Sequence, residues 1–357
     1  MKKLSVYQIL SLLLPIQLLL VKMFSYFPNL IEQYYSNGIY PFISRVFRTI
    51  FGGIPFSMGD ILYLFIGLIL CLGIYKWIKS NFKNTKQQLF KFGAYLSVFY
   101  FLFHILWALN YHRNSLYTTL NLEQKPYGLS ELTTLSNHLL DNLKNIQLQL
   151  VENDTLPVII SYSKTEILKK TKLAYLDLAD DYPQYQYKKP SLKKSLFSLP
   201  LSYMGFSGYL NPLSGEAQVN SKVPKIKLPA ISCHEVAHQL GIAAESEANF
   251  IGFLAATKST DKNFNYSGYI SALRYTIGAI HYKDSIASKN IIENLPAGVL
   301  KNIKESQEFW QSYQNDLEPF FKLFYENYLK ANQQKDGMKS YSKMVGLLVA
   351  YDLKYGF

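Results

Sequence analysis

The sequence predicts an α+β protein: three N-terminal transmembrane helices, then a mainly helical domain with a small β-sheet. Three observations lead there. Three apolar stretches each approach the roughly 20 residues needed to cross a bilayer. Helical periodicities fill most of the remainder, and one region rich in Pro, Gly and Ser breaks them with short β-prone runs. The order helices, sheet, helices excludes an alternating βαβ chain. Composition agrees, since 49% of the 357 residues are hydrophobic and only 17% charged, whereas soluble domains average about 25% charged. That excludes a disordered chain and a coiled coil. With two cysteines, a disulfide scaffold and a Cys-rich zinc module are excluded as well.

The apolar stretches run over about 4–21, 61–78 and 90–110. Lys2 and Lys3 give the first the look of a signal peptide, but Pro15, Gln17 and the lack of a small-x-small cleavage site mark it as an uncleaved anchor. Lys76, Lys79, Lys83, Lys86 and Lys91 crowd the connection between the second and third. By the positive-inside rule that connection and the N-terminus are cytoplasmic. Residues 1–111 then form a multi-pass anchor in the cell (inner) membrane, and 112–357 an extracytoplasmic, periplasmic domain. Segment 25–60 is external too; its Ile43, Val46, Phe47, Ile50 and Phe51, at helical spacing, suit a helix lying flat on the lipid bilayer. The net charge is +12, of which the anchor's ten Lys/Arg against Glu32 and Asp60 account for +8. Topology explains the excess, and a nucleic-acid partner is excluded. His104 in the third stretch reads as a packing residue, and Cys233 as a small buried hydrophobe that does not pair with Cys71.

In the external half, Leu129–Leu150 spaces Leu132, Leu135, Leu139, Leu140, Leu143 and Ile146 as one face of a helix, and Thr165–Leu178 continues the pattern. Leu156–Tyr162 is a predicted strand. Ser195–Leu201, Gly205–Leu210 and Glu216–Asn220 follow as short strands, with turns at Asn211-Pro212 and Ser214-Gly215. From Pro229 to Tyr351 the chain is helical again. Lys188, Lys189, Lys193 and Lys194 read as a solvated loop, or else a surface for anionic lipid or glycan.

The helix after Pro229 contains Ser-Cys-His234-Glu235-Val-Ala-His238-Gln-Leu-Gly241, an H-E-x-x-H motif. Four residues apart on a helix, His234 and His238 share a face and reach one ion, while Glu235 is aimed at a water on that ion. With 6 histidines in 357 residues, shuffling would produce about 0.004 such motifs, so chance explains it poorly. A catalytic zinc needs three protein ligands and an open position. Gly241 can cap the helix in the left-handed conformation and turn the chain into a second helix. There Glu245 is the predicted third ligand, with Asn249 one turn on as a hydrogen-bond partner for a ligating histidine. Glu247 is the alternative ligand, and its other reading is a solvated or capping acid.

H-E-x-x-H followed by E-x-x-A-N (Glu245 to Asn249) is similar to the gluzincin pattern of membrane metallopeptidases of the CAAX-prenyl and HtpX types. There the second motif reads E-x-x-A-D, and its Glu is the third zinc ligand. Over nearly its whole length the chain resembles an uncharacterised domain-of-unknown-function family of bacterial membrane proteins. The likeness rests on the three-span start, Asn110-Tyr-His-Arg, Gly-Tyr-Leu-Asn-Pro-Leu-Ser-Gly-Glu-Ala before the zinc helix, Tyr266-Ser-Gly-Tyr269, and Asp336-Gly-Met-Lys-Ser-Tyr341. The resemblance implies a zincin.

The expected function is therefore a membrane-anchored zinc-dependent peptidase. Zn2+ held by His234, His238 and Glu245 lowers the pKa of a water to about 7, and Glu235 serves as general base. The substrate is a peptide or protein outside the cytoplasm. Tyr266, Tyr269, Arg274, His281 and Tyr341 are the candidate transition-state donors, and Glu216–Asn220 is a candidate edge strand for an extended peptide. The alternative is a non-catalytic envelope protein or binding module whose zinc site only braces the fold. A transporter is disfavoured because the spans carry almost no charge.

Overall fold

The computed structural model describes residues 3–332 and 341–357, with side chains of the second segment from residue 343 onward. Helix α1 (Val6–Phe24) starts with a capping box in which Ser5 and Gln8 satisfy each other's backbone amides. A single turn, α2 (Pro28–Leu30), runs through a π-helical stretch (Ile31–Ile39) into α3 (Tyr40–Phe51). Helices α4 (Met58–Lys79) and α5 (Thr85–Leu106) follow. Of these, α1, α4 and α5 are long and apolar enough to cross a membrane. Helix α1 packs along α5, whereas α4 makes no extended contact with either. The described faces of all three expose Leu, Ile and Phe.

Beyond them come α6 (Leu116–Thr119), α7 (Leu129–Leu150), α8 (Lys164–Asp181), β1 (Leu192–Lys194) and α9 (Ser198–Met204). Next are β2 (Gly208–Asn211), β3 (Glu216–Val219), α10 (Leu228–Gln239) and α11 (Glu245–Lys258). The chain continues through α12 (Lys262–Lys283), α13 (Ser285–Glu293), α14 (Ala297–Gln311), α15 (Glu318–Ala331) and α16 (Tyr341–Tyr355). The main core lies among α7, α8, α10, α11, α12 and α16. The predicted stripe on α7 is its inner face: Leu132, Leu135, Leu139 and Leu143 are fully buried, each stabilising the fold by about 1.5–3 kcal/mol.

Strands of three or four residues are where expectation and structure part. Leu156–Tyr162 is no strand and joins no sheet; the Asn302 side chain pairs with both the N–H and the C=O of Val158. The run Ser195–Leu201 is not a strand: β1 ends at Lys194, and Ser198 already begins α9. The sheet order is β1-β3-β2, with β1 parallel and β2 antiparallel to β3. So β3 is the central strand, not an edge, and β2 is the antiparallel edge. Lys193 is no solvated loop residue. Its ammonium is buried on the Phe51 and Phe56 carbonyls and 2.5 Å from Glu216. Glu216 also accepts from Gly59 N–H at 2.5 Å at the start of α4. Removing one partner of such a buried pair costs about 3–5 kcal/mol.

The segment before Asn114 is built into the domain. A helix ends with carbonyls that lack intrahelical partners, and those of α10 are met from outside it. Trp107 Nε1 donates to His238 O at 3.1 Å, while Tyr40 and Ser44 hydroxyls donate to Gln239 O at 3.0 and 2.9 Å. Just beyond, Arg113 donates to Gly241 O at 3.0 Å and pairs with Glu32. Helix α3 thus turns its polar face, Tyr40, Ser44 and Arg48, inward and leaves Phe42, Val46 and Ile50 exposed. Cys233 is buried and Cys71 exposed on α4, both unpaired. His104 is buried, with Nδ1 2.9 Å from Tyr100 O.

Candidate metal centre

Helix α10 carries the motif through the wall of the core, and α11 returns across it after Gly241, whose φ of +92° makes the turn. The two helices approach closely at Gly252, where a Cβ would lie 2.8 Å from His234 N. That closeness brings Glu245 to the histidines. Its carboxylate is 3.4 Å from His234 Nε2 and 3.5 Å from His238 Nε2. The imidazole centroids are 4.6 Å apart. One ligand atom from each of His234, Glu235 and His238 also fits within 4.8 Å, a spacing that could hold a metal ion.

The surroundings suit a cation. His238 Nδ1 lies 2.7 Å from Ile242 O, which orients the ring and turns Nε2 toward Glu245. Among the described residues, buried Glu235 Oε2 has no hydrogen-bond partner, and neither has His234 Nδ1. Gly208 makes room for Glu235, since a Cβ there would fall 2.5 Å from Oε1. Burial raises Glu235 to about 7 against the pull of His234 and His238. Burial disfavours a charge on His238, but Glu245 outweighs it and raises the ring to about 9. Burial also works against the Glu245 anion, yet the two histidines hold its carboxyl well below the usual range. Two nitrogens and a carboxylate oxygen therefore converge, stabilised as an ion cluster that a divalent metal could replace, while Glu235 keeps a free oxygen.

The other predicted residues divide. Glu247 turns away and accepts from Leu116 N at 2.8 Å, and burial raises it to about 7. Asn249 lines the same cavity, where its Oδ1 accepts from the Tyr275 hydroxyl at 3.4 Å rather than bonding a ligating histidine; the partner of His238 Nδ1 is the Ile242 carbonyl. Tyr266 donates to Asn302 in the core, Tyr269 packs on Phe253, and His281 contacts Ser288. None of those three lines the cavity. The Tyr341 side chain lies outside the described residues, as does 336–340 of the C-terminal motif. Arg274 does line the cavity.

The group that sequence reasoning missed is Tyr325 on α15, whose hydroxyl donates to Glu245 Oε1 at 2.6 Å. It stacks on Tyr328, which in turn lies 3.4 Å from the Tyr111 hydroxyl. Burial, then Glu245, pushes its phenol well above the ordinary value. The only trace in the sequence is a pair of tyrosines three apart on an amphipathic helix, 80 residues from the carboxylate.

All four groups open on a cavity of about 1260 Å³. Its walls include Tyr63 of α4, Phe103 of α5, Trp107, and residues Gly208 to Leu210 of β2. No curated protein and no solved structure matches the chain. A family model does match, over residues 35–349, which takes in the last two apolar helices, the sheet and the His234–Glu245 cluster. The chain belongs to the DUF3810 family, described as proteins of unknown function.

Proposed function

We propose that this protein is a membrane-anchored zinc-dependent peptidase working at the outer face of the cell membrane. The observation that carries the reading is the convergence of His234, His238 and Glu245 beside Glu235, whose buried Oε2 has no partner, on the wall of a large cavity. The donor set fits zinc: two imidazoles and one carboxylate, with a position left for water. His234, His238 and Glu245 would be the ligands. When bound, zinc would polarise a scissile carbonyl and a water.

The chain's own groups do the rest. Glu235, with its pKa raised to about 7, accepts the proton of the attacking water at Oε2 and passes it to the leaving amine. The edge of β2 along the cavity offers backbone groups to an extended peptide, and Gly208 keeps that edge free of a side chain. Tyr325, whose hydroxyl hydrogen-bonds Glu245, serves as the donor to the oxyanion. The bilayer lies alongside, because Tyr63 and Phe103 of the apolar helices line the same cavity. The lysine bias sets the N-terminus in the cytoplasm and this cavity outside.

The test is zinc content of the full chain in detergent, then turnover of a peptide library. Wild type, Glu235→Gln, Glu247→Gln and Tyr325→Phe should each hold about one zinc, while His234→Ala and Glu245→Ala lose it. Glu235→Gln should be inactive, and Tyr325→Phe slowed by about 100-fold. Zinc retained in Glu245→Ala would overturn the ligand set. Wild type without zinc would overturn the peptidase.

A further inference from the structure

The cavity is a groove along α10. Lys227, Ile231, His234 and His238, spaced by four, three and four residues, all line it, so they form one helical stripe. The metal site occupies the C-terminal end of that stripe. Lys227 stands at the other end, seven residues or about 10 Å before His234. Its ammonium donates to Ser271 Oγ at 3.1 Å, and Arg274, one turn further along α12, lines the same wall.

This cationic end lacks a counter-charge. Among the described residues no carboxylate forms an ion pair with Lys227 or Arg274, and the only acids lining the cavity are Glu235 and Glu245 at its far end. The contrast with Lys193 is informative, since that lysine is compensated by Glu216 and two carbonyls. Two cations that line a cavity beside one serine hydroxyl are arranged for an anion that arrives from outside. Burial, then the Arg274 charge, lowers Lys227 to about 7, as expected for a cation short of a partner.

Resting on the peptidase reading, we propose that Lys227, Ser271 and Arg274 form a subsite for a substrate carboxylate. An extended peptide advances about 3.3 Å per residue, so the carboxylate sits about three residues from the bond presented to Glu235. A side-chain carboxylate and a free C-terminus share this chemistry. Arginine and lysine together suit it, one offering a planar fork and the other a point charge.

The test uses full-length Glu235→Gln protein in detergent, so that binding is read without turnover. Labelled hexapeptides are compared by fluorescence anisotropy in pairs: Glu against Gln at each position, and free against amidated C-terminus. One charged member should bind at least about tenfold tighter than its neutral twin. Lys227→Met and Arg274→Gln should each reduce that ratio to below about twofold. The pair that discriminates identifies the source of the carboxylate. Equal binding within every pair, or a preference that survives both variants, overturns the subsite even if wild type cleaves peptides. Where no peptide binds, glutarate titrated by calorimetry decides. Binding lost in the two variants supports the subsite, whereas no binding, or binding that survives both variants, overturns it; zinc content and turnover decide the peptidase reading separately.

Discussion

Lys227 holds its proton less firmly than a surface lysine, since burial and the neighbouring Arg274 charge bring it down to about 7. Ser271 is its hydrogen-bond partner and Arg274 the charge facing it. Only the ammonium form attracts a carboxylate, and that form disappears as pH rises through the pKa of Lys227, while Arg274 keeps its charge. Glutarate affinity should therefore fall as pH is raised from about 6 to about 9, and Lys227→Arg should flatten the profile. Flat binding in wild type would mean that Arg274 alone holds the anion. At this scale the sequence was readable wherever helical spacing governs. The i, i+4 relation set His234 beside His238, and a short turn brought in Glu245 ahead of Glu247. Tyr325 and the Ile242 carbonyl were not readable, because the first reaches the site only by tertiary packing and the second is a backbone group without a side-chain signature.

The crossing of α10 and α11 sets the geometry of the candidate metal site more than any single side chain does. At Gly252 a Cβ would lie 2.8 and 2.9 Å from His234 N and Cα, backbone atoms that cannot rotate away. Gly252→Ala should therefore push α11 off α10 and draw Glu245 from the imidazoles. We expect a lower melting temperature and zinc affinity reduced by at least about tenfold. Gly278→Ala is the control, with nothing within 4 Å of the added Cβ. There the gain in helix propensity should leave zinc affinity unchanged. Elements were legible in proportion to their length. The 22-residue α7 showed its stripe over several turns, whereas a three-residue strand such as β1 offers no alternation to read. Leu156–Tyr162 has the composition of a strand, but side chains of Gln147, Asn302 and Lys225 take its backbone hydrogen bonds, and composition does not reveal that.

For the molecule as a whole, the bilayer reading makes a prediction about depth. Helix α9 exposes Leu199 and Tyr203, and α15 exposes Phe320, Leu323 and Phe324, both beside the cavity mouth. Phe103 of α5 touches Tyr328, and Leu196 N donates to Asp60 at the start of α4, so this apolar rim continues from the apolar helices. A nitroxide on Leu323→Cys, in phosphatidylcholine nanodiscs, should be reached by oxygen and shielded from a water-soluble nickel chelate. The same label at Tyr282, exposed on α12, should show the reverse. Equal exposure at both positions would detach the rim from the lipid. Three apolar helices were plain from hydropathy alone. That the ends of two of them wall the cavity was not, because only the fold brings Tyr63 and Phe103 to His234.

The carbonyls at the end of α10 and that of Gly241 just beyond it are held by Tyr40, Ser44, Trp107 and Arg113, all of which precede residue 114. Many surface proteins are set free by a cut just outside the membrane and go on working at a distance. Here such a cut would remove the hydroxyls, indole and guanidinium that hold the motif helix in place, and with them one wall of the cavity. On the membrane-anchored reading, shedding would be an off-switch, and activity would be confined to the membrane that holds the chain.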